Sequence, residues 1–337
     1  MAFLAWPLLA CFLVAAIGTW LARAYALHRN LFDAPGERRA HTVPTPRGGG
    51  IAIVGVLLVA GVVLLRAQPV FAFALPGLAL VALVGLIDDH RSISPWVRLA
   101  VHGIAAAMLA FGVLQAGMTP ATAAVAFVLA LALTNIWNFM DGIDGIAATQ
   151  AVLVGLAVAT AGQDPWSGWA WALVAATLGF LPFNFPFARI FLGDVGSGAL
   201  GFAIAVLLTG RIAFATPDHA VLWLLPISAF AIDATLTLGR RILRRERWWQ
   251  PHAQHAYQAW ARRAGSHVGP TLGYAAWTIA SVLLMRELAW AQGSVMLLAC
   301  AAWYIAGAGI WSLLQGHGLR KKQDAADGSA AVKETTE

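Results

Sequence analysis

Asn138-Phe-Met-Asp141-Gly-Ile-Asp144-Gly-Ile-Ala-Ala148 is a short polar stretch between two apolar runs, 121–137 and 147–161. Its amide and two carboxylates are spaced three residues apart, so they can share one face of a helical turn. Gly142 and Gly145 leave room for another group to approach the backbone. An unpaired carboxylate at the edge of a membrane costs several kcal/mol, and the stretch therefore predicts a charged partner.

The composition is that of an integral membrane protein. Of the 337 residues, 60% are hydrophobic and 11% are charged, whereas soluble domains are about 25% charged. Several apolar runs reach the length of about 20 residues that crosses a bilayer as a helix, which excludes a soluble enzyme with one large core. Cys11 and Cys300 lie in such runs, so neither a disulfide framework nor a thiolate metal site is predicted. We expect an all-α polytopic bundle.

Eleven transmembrane helices are predicted, in one multi-span membrane domain over residues 1–315. The polar segment 316–337 is predicted to be a disordered cytoplasmic tail. The first run lacks a basic start and a small-residue cleavage site, which favours a retained helix over a removed signal. The predicted spans are 3–22, 49–65, 70–87, 98–116, 121–137, 147–161, 168–185, 198–215, 220–238, 271–289 and 294–314.

Basic residues predict the orientation of these helices. With the loop 23–48 inside, nineteen of the 22 Lys and Arg residues fall inside, and Arg66, Arg211 and Arg286 fall outside. The positive-inside rule then puts the amino terminus outside and the carboxyl terminus in the cytoplasm. This pattern explains the net charge of +6 without nucleic-acid binding. The active site is expected on the cytoplasmic face, where the predicted helix ends carry Asp88, Asp89, Asp141, Asp144 and Asp194.

Two adjacent acids end the third predicted span, in Gly85-Leu-Ile-Asp88-Asp89-His90-Arg91-Ser92. Such a pair can hold a divalent cation or take up a proton beside a phosphate, and magnesium prefers oxygen ligands. The alternative is a helix end with solvated acids next to Arg91.

A glycine-rich segment leads into the eighth predicted span, Asn184-Phe-Pro-Phe-Ala-Arg189-Ile-Phe-Leu-Gly193-Asp194-Val-Gly196-Ser197-Gly198. The start of a helix carries free N–H groups and a positive dipole, so it predicts a phosphate site. Asp194 could carry the metal that a diphosphate requires.

The longest inner loop, 239–270, is basic and amphipathic. His252 and His255 are predicted to grip a phosphate, since they lack the further ligands of a zinc site. Contact with anionic lipid headgroups is the alternative explanation for Arg244 to Arg247. Asp233, inside the ninth span, is either a partner for Arg240 or a buried structural acid, and we favour structure.

A second basic loop enters the second span through three glycines, in Arg38-Arg39-Ala-His41-Thr-Val-Pro44-Thr-Pro46-Arg47-Gly48-Gly49-Gly50. Its cations could neutralise a phosphate, or the loop could serve only to orient the first hairpin.

Taken in this order, the five stretches resemble the bacterial polyprenyl-phosphate sugar-1-phosphate transferases of glycosyltransferase family 4, most closely the members that initiate O-antigen. The resemblance implies a multi-helix fold, Mg²⁺ with Mn²⁺ as an alternative, and transfer of a sugar phosphate from a UDP-sugar to undecaprenyl phosphate with release of UMP. A homodimer is left open. The resemblance implies that Asp88 and Asp89 serve the lipid phosphate, that Asp194 holds the metal and that the stretch from Asn138 to Asp144 serves the nucleotide diphosphate. The candidate catalytic residues are Asp88, Asp89, Asp141 and Asp144; the candidate substrate-binding residues are Asn138, Asn184, His252, His255, Arg47, Gly193 and Ser197; the candidate metal ligand is Asp194.

The sequence departs from the family pattern at two places. His90, Arg91 and Ser92 follow the aspartate pair, so the third acid of an Asp-Asp-x-x-Asp chelate is absent. The histidine loop reads Pro251-His252-Ala-Gln-His255-Ala-Tyr257-Gln, without three consecutive histidines. It is similar to the O-antigen initiators that use UDP-N-acetylfucosamine or related sugars.

Two other classes of membrane protein remain as alternatives. A CDP-alcohol phosphotransferase would carry Ala-Arg after its first Asp-Gly, whereas Ile-Ala-Ala follows Gly145 here. A transporter would carry charge in the middle of its spans, and only Asp233 lies within one. For a transferase, direct attack of the lipid phosphate is expected, and an aspartyl-phosphate on Asp89 or Asp141 is the rival route.

Overall fold

The chain is almost entirely helical, as its apolar runs predict, and the computed structural model describes residues 2–33, 44–250 and 252–334. Arg38, Arg39 and His41 of the predicted basic loop lie outside the described residues. Strands β1 (Phe32–Asp33) and β2 (Thr45–Pro46) pair antiparallel, with Phe32 opposite Pro46. The helices are α1 (Ala2–His28), α2 (Ile51–Leu64), α3 (Phe71–His90), α4 (Pro95–Gln115), α5 (Pro120–Phe139), α6 (Ile146–Ala159), α7 (Pro165–Phe180), α8 (Asp194–Ala213), α9 (Pro217–Leu222), α10 (Ser228–Leu243), α11 (Ala256–Ala264), α12 (Val268–Leu288) and α13 (Gly293–Glu334).

Prolines and side-chain caps define several helix starts. Proline occupies the first turn of α4, α5, α7 and α9, where its missing N–H leaves no helical hydrogen bond unmade. The Thr119 hydroxyl accepts a hydrogen bond from the Thr122 N–H, and the Asp164 carboxylate accepts one from the Ser167 N–H. The turns between the apolar runs are therefore encoded locally.

Within the described residues, eight helices are long and apolar enough to cross a membrane, namely α1, α3, α4, α5, α7, α8, α12 and α13. Helices α2 and α6 are also apolar but shorter, at 14 residues each. The prediction of an all-α polytopic membrane protein is confirmed.

The ninth predicted span, 220–238, is not one helix. It is divided into α9 and α10, with a turn over 223–227. Pro226 lies in this turn, and proline cannot donate the N–H that a continuous helix would require there. The prediction of a single span at this place was wrong.

Helix α13 continues to Glu334. It enters the segment 316–337 that the sequence predicts to be a disordered tail, and the division of the chain at residue 315 stays a prediction.

Helix α8 is the centre of the bundle. Every residue from Val195 to Gly210 is buried, and the helix packs between α3 and α5. Because α3 and α5 end beside the first turn of α8, side chains from three helices meet at one end of the bundle. This junction positions the candidate site.

Candidate active site

An arginine joins two of the predicted acids. One Nη of Arg98, in the first turn of α4, lies 2.5 Å from Asp88 Oδ2 and 2.5 Å from Asp194 Oδ2. The Asp88 Oδ1 atom also accepts a hydrogen bond of 2.5 Å from the Ile93 N–H. The end of α3 and the start of α8 are therefore linked through one guanidinium group.

Asp89 has a different environment from Asp88. Its side chain is 4% exposed, and its two oxygens accept hydrogen bonds of 3.1 Å each from the Asp194 N–H and the Val195 N–H. These are free N–H groups at the start of α8, of the kind that the sequence predicts to bind phosphate. In this structure a protein carboxylate caps them, as an acid near a helix start is expected to do.

The polar stretch that follows α5 reaches the same place. The Asn138 amide donates hydrogen bonds to Asp194 Oδ1 at 2.9 Å and to Ser197 Oγ at 3.0 Å. Asp194 is thus held by Asn138 through one oxygen and by Arg98 through the other. Three of the candidate site residues, Asn138, Asp194 and Ser197, therefore lie together, and their roles in binding stay predictions.

Asp141 lies in a strongly acidic environment. Burial raises the pKa of its carboxyl group to about 8, and the nearby charges of Asp194, Asp89, Asp144 and Asp33 act in the same direction. These neighbouring acids therefore disfavour ionisation of Asp141, which is mostly protonated at neutral pH in the metal-free site.

Asp144 is bonded to the protein on several sides. Its Oδ2 accepts a hydrogen bond of 3.2 Å from the Ala188 N–H, and its Oδ1 lies 3.2 Å from His267 Nδ1. Thr271 of α12 donates its hydroxyl to the Asp144 carbonyl at 2.9 Å. These contacts fix the turn against α12 and against the segment before α8.

Asn184 holds two loops together. It is 3% exposed; its amide oxygen accepts from the Gly145 N–H at 3.0 Å, and its amide nitrogen donates to the Ile190 carbonyl at 3.0 Å. Both the oxygen and the nitrogen of the Asn184 amide therefore form hydrogen bonds with the main chain. Contact between Asn184 and a substrate stays a prediction.

The glycine segment before α8 pairs with the second basic loop. The Gly49 N–H donates to the Phe191 carbonyl and the Gly50 N–H to the Leu192 carbonyl, both at 2.9 Å. Gly193 has φ 72°, and a Cβ there would lie 2.4 Å from Asp89 Oδ2, so only glycine fits this turn. Arg47 is brought to the same acid, with its Nε 3.9 Å from Asp89 Oδ1.

The two predicted histidines lie in different environments. His252 Nδ1 accepts a hydrogen bond of 3.3 Å from the Gln254 N–H, and burial with the neighbouring charges of His255, Arg241 and Arg240 lowers the pKa of His252 to about 3. His252 is therefore neutral at neutral pH, with Nε2–H as its donor. His255 is 3% exposed and lies 3.5 Å from Asp233. Whether either ring binds phosphate stays a prediction.

Two residues at the site were missed as functional by sequence reasoning. Arg98 was used only to predict the orientation of the helices, because an arginine near a helix end is ordinarily explained by contact with the membrane interface. His267 was one of several basic-loop residues, and nothing in the sequence separates it from the others.

The acids do not form a ready-made metal cage. Among the described residues, no three His, Cys, Asp or Glu side chains are grouped as metal ligands. Magnesium is commonly held by one or two carboxylates together with substrate phosphates and water. The grouping of Asp141 with Asp89, Asp144 and Asp194 fits a cation that binds together with a phosphate group.

The part of the chain that forms this site matches a known protein family. The family described as Glycosyl transferase family 4 matches residues 71–210, from the start of α3 to the last turn of α8. A probable undecaprenyl-phosphate N-acetylglucosaminyl 1-phosphate transferase of Bacillus subtilis is 28% identical, over 73% of this chain and 74% of its own length. A decaprenyl-phosphate N-acetylglucosaminephosphotransferase of Mycobacterium leprae is 30% identical, over 76% of this chain and 77% of its own. A phospho-N-acetylmuramoyl-pentapeptide-transferase of Moorella thermoacetica is 35% identical, over 48% of this chain and 60% of its own length. The chain is a polytopic membrane enzyme that belongs to glycosyl transferase family 4.

Proposed function

We propose that this enzyme transfers a sugar-1-phosphate from a UDP-sugar to undecaprenyl phosphate, giving undecaprenyl-diphosphate-sugar and UMP. The donor sugar is an N-acetylhexosamine or a deoxy-N-acetylhexosamine. Family membership favours this reaction over the CDP-alcohol phosphotransferase and transporter alternatives.

The observation that carries the proposal is the junction of Asp88, Arg98, Asp194 and Asn138 at one end of the helix bundle. The junction lies at the ends of α3, α4, α5 and α8, which are apolar and long enough to cross a membrane. A lipid with a phosphate headgroup can therefore approach from the membrane while a nucleotide approaches from water. The junction combines a guanidinium group, carboxylates and an amide at one point. Transfer of a phosphoryl group between two phosphates requires such positioning and charge neutralisation.

Direct transfer suits the residues that line the junction. A phosphate monoester with a second pKa near 6 is mostly a dianion at neutral pH, so little base catalysis is required. Arg98 can bind its oxygens, and guanidinium groups match phosphate geometry. The acceptor oxygen then attacks the β-phosphorus of the donor and UMP leaves, so the bond between the sugar and its oxygen is untouched.

The acids divide their roles in this scheme. Asp88 orients the acceptor phosphate through Arg98 and takes any residual proton. Asp89 holds the start of α8, because both its oxygens are bonded to backbone N–H groups. This arrangement favours the direct route over an aspartyl-phosphate on Asp89.

Magnesium is the expected cofactor, with manganese as the alternative. Asp194 would hold it, and the bound cation would favour the ionised form of Asp141 beside it. When bound, the cation would neutralise charge on the diphosphate. The protein positions Asp194 for this through Asn138 and Arg98.

The site is proposed to face the cytoplasm of the bacterial inner membrane, with the amino terminus in the periplasm. The distribution of basic residues supports this orientation. Initiation of O-antigen or another envelope polysaccharide is the proposed role. A homodimer stays a prediction.

A lipid-labelling assay tests the proposal. Purified enzyme in detergent receives undecaprenyl phosphate and a panel of radiolabelled UDP-N-acetylhexosamines and their deoxy forms, with Mg²⁺, with Mn²⁺ or with a chelator. Labelled lipid with one or more donors, and only with metal, is the expected result. No labelled lipid across the whole panel would refute the transferase.

A further inference from the structure

A buried acid outside the site is the centre of a hydrogen-bond network. Asp233 of α10 is 2% exposed. Its carboxylate accepts hydrogen bonds from the Ala256 N–H at 2.9 Å, the Tyr257 N–H at 3.2 Å and the Tyr274 hydroxyl at 2.7 Å. Thr237 Oγ1 and Trp311 Nε1 donate to the same carboxylate at 3.0 and 3.1 Å.

These bonds hold the start of α11 against its neighbours. Ala256 and Tyr257 are the first two residues of α11, whose N–H groups have no partner within the helix. Tyr274 belongs to α12, so the carboxylate joins α10, α11 and α12. Arg240, the other partner considered for Asp233, instead donates to Gln315 and to the Gln254 carbonyl.

The side chain of Tyr257 connects the start of α11 to the candidate active site. Tyr257 is fully buried, and its hydroxyl donates to the carbonyl of Phe139, the last residue of α5, at 3.1 Å. Gly142 lies against the same hydroxyl, and a Cβ on Gly142 would be 2.3 Å from Tyr257 Oη. The turn that bears Asp141 and Asp144 is therefore packed directly on Tyr257.

We propose that Asp233 is a positioning residue for this turn. It fixes the start of α11, α11 fixes Tyr257, and Tyr257 sets the place of the backbone between Asn138 and Asp144. The inference rests on the proposed function, in which that turn serves the nucleotide diphosphate. It predicts that the network controls binding of the nucleotide sugar rather than of the lipid, because Asp88 and Arg98 make no contact with Asp233 or Tyr257 among those described.

The test uses a pair of substitutions that should compensate each other. Gly142→Ala places a methyl group on the tyrosine hydroxyl and should raise the KM for the UDP-sugar about tenfold, since displacements near 1 Å can cost that much or more. Tyr257→Phe should raise it about threefold by loss of one hydrogen bond. In the double variant the nearest remaining atoms would be Gln258 Nε2 at 3.0 Å and the ring Cζ at 3.2 Å. The KM should then fall below that of Gly142→Ala alone, while the KM for undecaprenyl phosphate stays unchanged throughout.

Asp233 itself is tested with two variants. Asp233→Asn should reproduce the donor KM effect of Tyr257→Phe and should not add to it when the two are combined. Tyr274→Phe removes one bond to the carboxylate and keeps its charge, so it gives a milder effect of the same kind if Asp233→Asn does not fold. Tyr304→Phe is the matched control, because Tyr304 also donates a partly buried hydrogen bond to a backbone carbonyl, that of Leu224, but away from the site.

The outcomes separate the two proposals. An inactive wild-type enzyme would refute both the proposed transferase function and the positioning role of Asp233. An active wild type with additive effects in the double variants, or with equal changes in the KM of donor and lipid, overturns the positioning role alone. A donor KM effect of Tyr304→Phe as large as that of Tyr257→Phe also overturns it.

Discussion

The carboxylate of Asp89 accepts a hydrogen bond from the backbone N–H of Asp194. A buried acid at the end of α3 therefore caps α8, the helix that begins with the candidate metal ligand Asp194. Its neighbour Asp88 instead faces Arg98. Two adjacent residues of the same type thus have different surroundings, and the difference can be measured.

Replacement of each acid by its amide should separate stability from turnover. Asp89→Asn leaves a buried N–H of α8 without its acceptor, which should lower the free energy of unfolding by about 1 to 3 kcal/mol and lower the Tm. Asp88→Asn should keep the Tm near that of the wild type and reduce turnover, because Asp88 is more accessible and acts through Arg98. Thermal unfolding in detergent and the lipid-labelling assay give the two readouts. Equal losses of Tm in both variants would contradict the division of roles.

Arg98→Gln should reduce turnover about 100-fold or more, because it removes the cation shared by Asp88 and Asp194. The matched control is Arg91→Gln, since Arg91 is exposed just after α3. The control should retain near-normal activity at equal expression. If both variants were equally active, Arg98 would have no role in the reaction.

The stability of the metal-free enzyme should decrease as pH rises, because the folded chain holds the carboxyl group of Asp141 in its protonated form. The folded chain keeps this carboxyl protonated up to about pH 8, whereas the unfolded chain loses the proton near 3.8. Unfolding therefore releases a proton between these values, and the free energy of unfolding decreases as pH rises through the window. Asp141→Asn should match the wild type near pH 4 and exceed its Tm at pH 8 when a chelator is present.

The same measurement reports on metal binding. Addition of Mg²⁺ with the UDP-sugar at pH 8 should narrow the difference in Tm between wild type and Asp141→Asn, because a bound cation favours the ionised form of Asp141. A wild type that gains stability relative to the variant as pH rises would show that Asp141 is already ionised in the folded chain.

Asn184→Ala should act mainly on stability. It leaves the Gly145 N–H and the Ile190 carbonyl without partners, at a cost of about 1 to 3 kcal/mol for each buried group. We expect a lower Tm with the KM for the donor little changed in the folded fraction. An unchanged Tm with a raised donor KM would instead support direct contact between Asn184 and the substrate.

The sequence predicted the membrane fold well, because the length of an apolar run and the proline or polar residues at its ends act locally. The start of α5 could be predicted in this way, because Thr119 caps the helix and Pro120 begins it. The end of α3 could also be predicted, because the polar residues from Asp88 to His90 close the apolar run. The broken ninth span could not be read from hydropathy alone, since the apolar run continues across the turn that contains Pro226.

By itself, the sequence determined that the chain is a helical membrane protein and which polar motifs interrupt its spans, because both follow from residues close together along the chain. Only the tertiary structure decided what each polar group contacts. Asp89 meets α8 from more than a hundred residues away, Arg98 joins Asp88 to Asp194, and Asp233 acts on α11. These partners depend on which helices pack together. The residues next to a carboxylate in the sequence therefore do not show which donor it will contact in the folded protein.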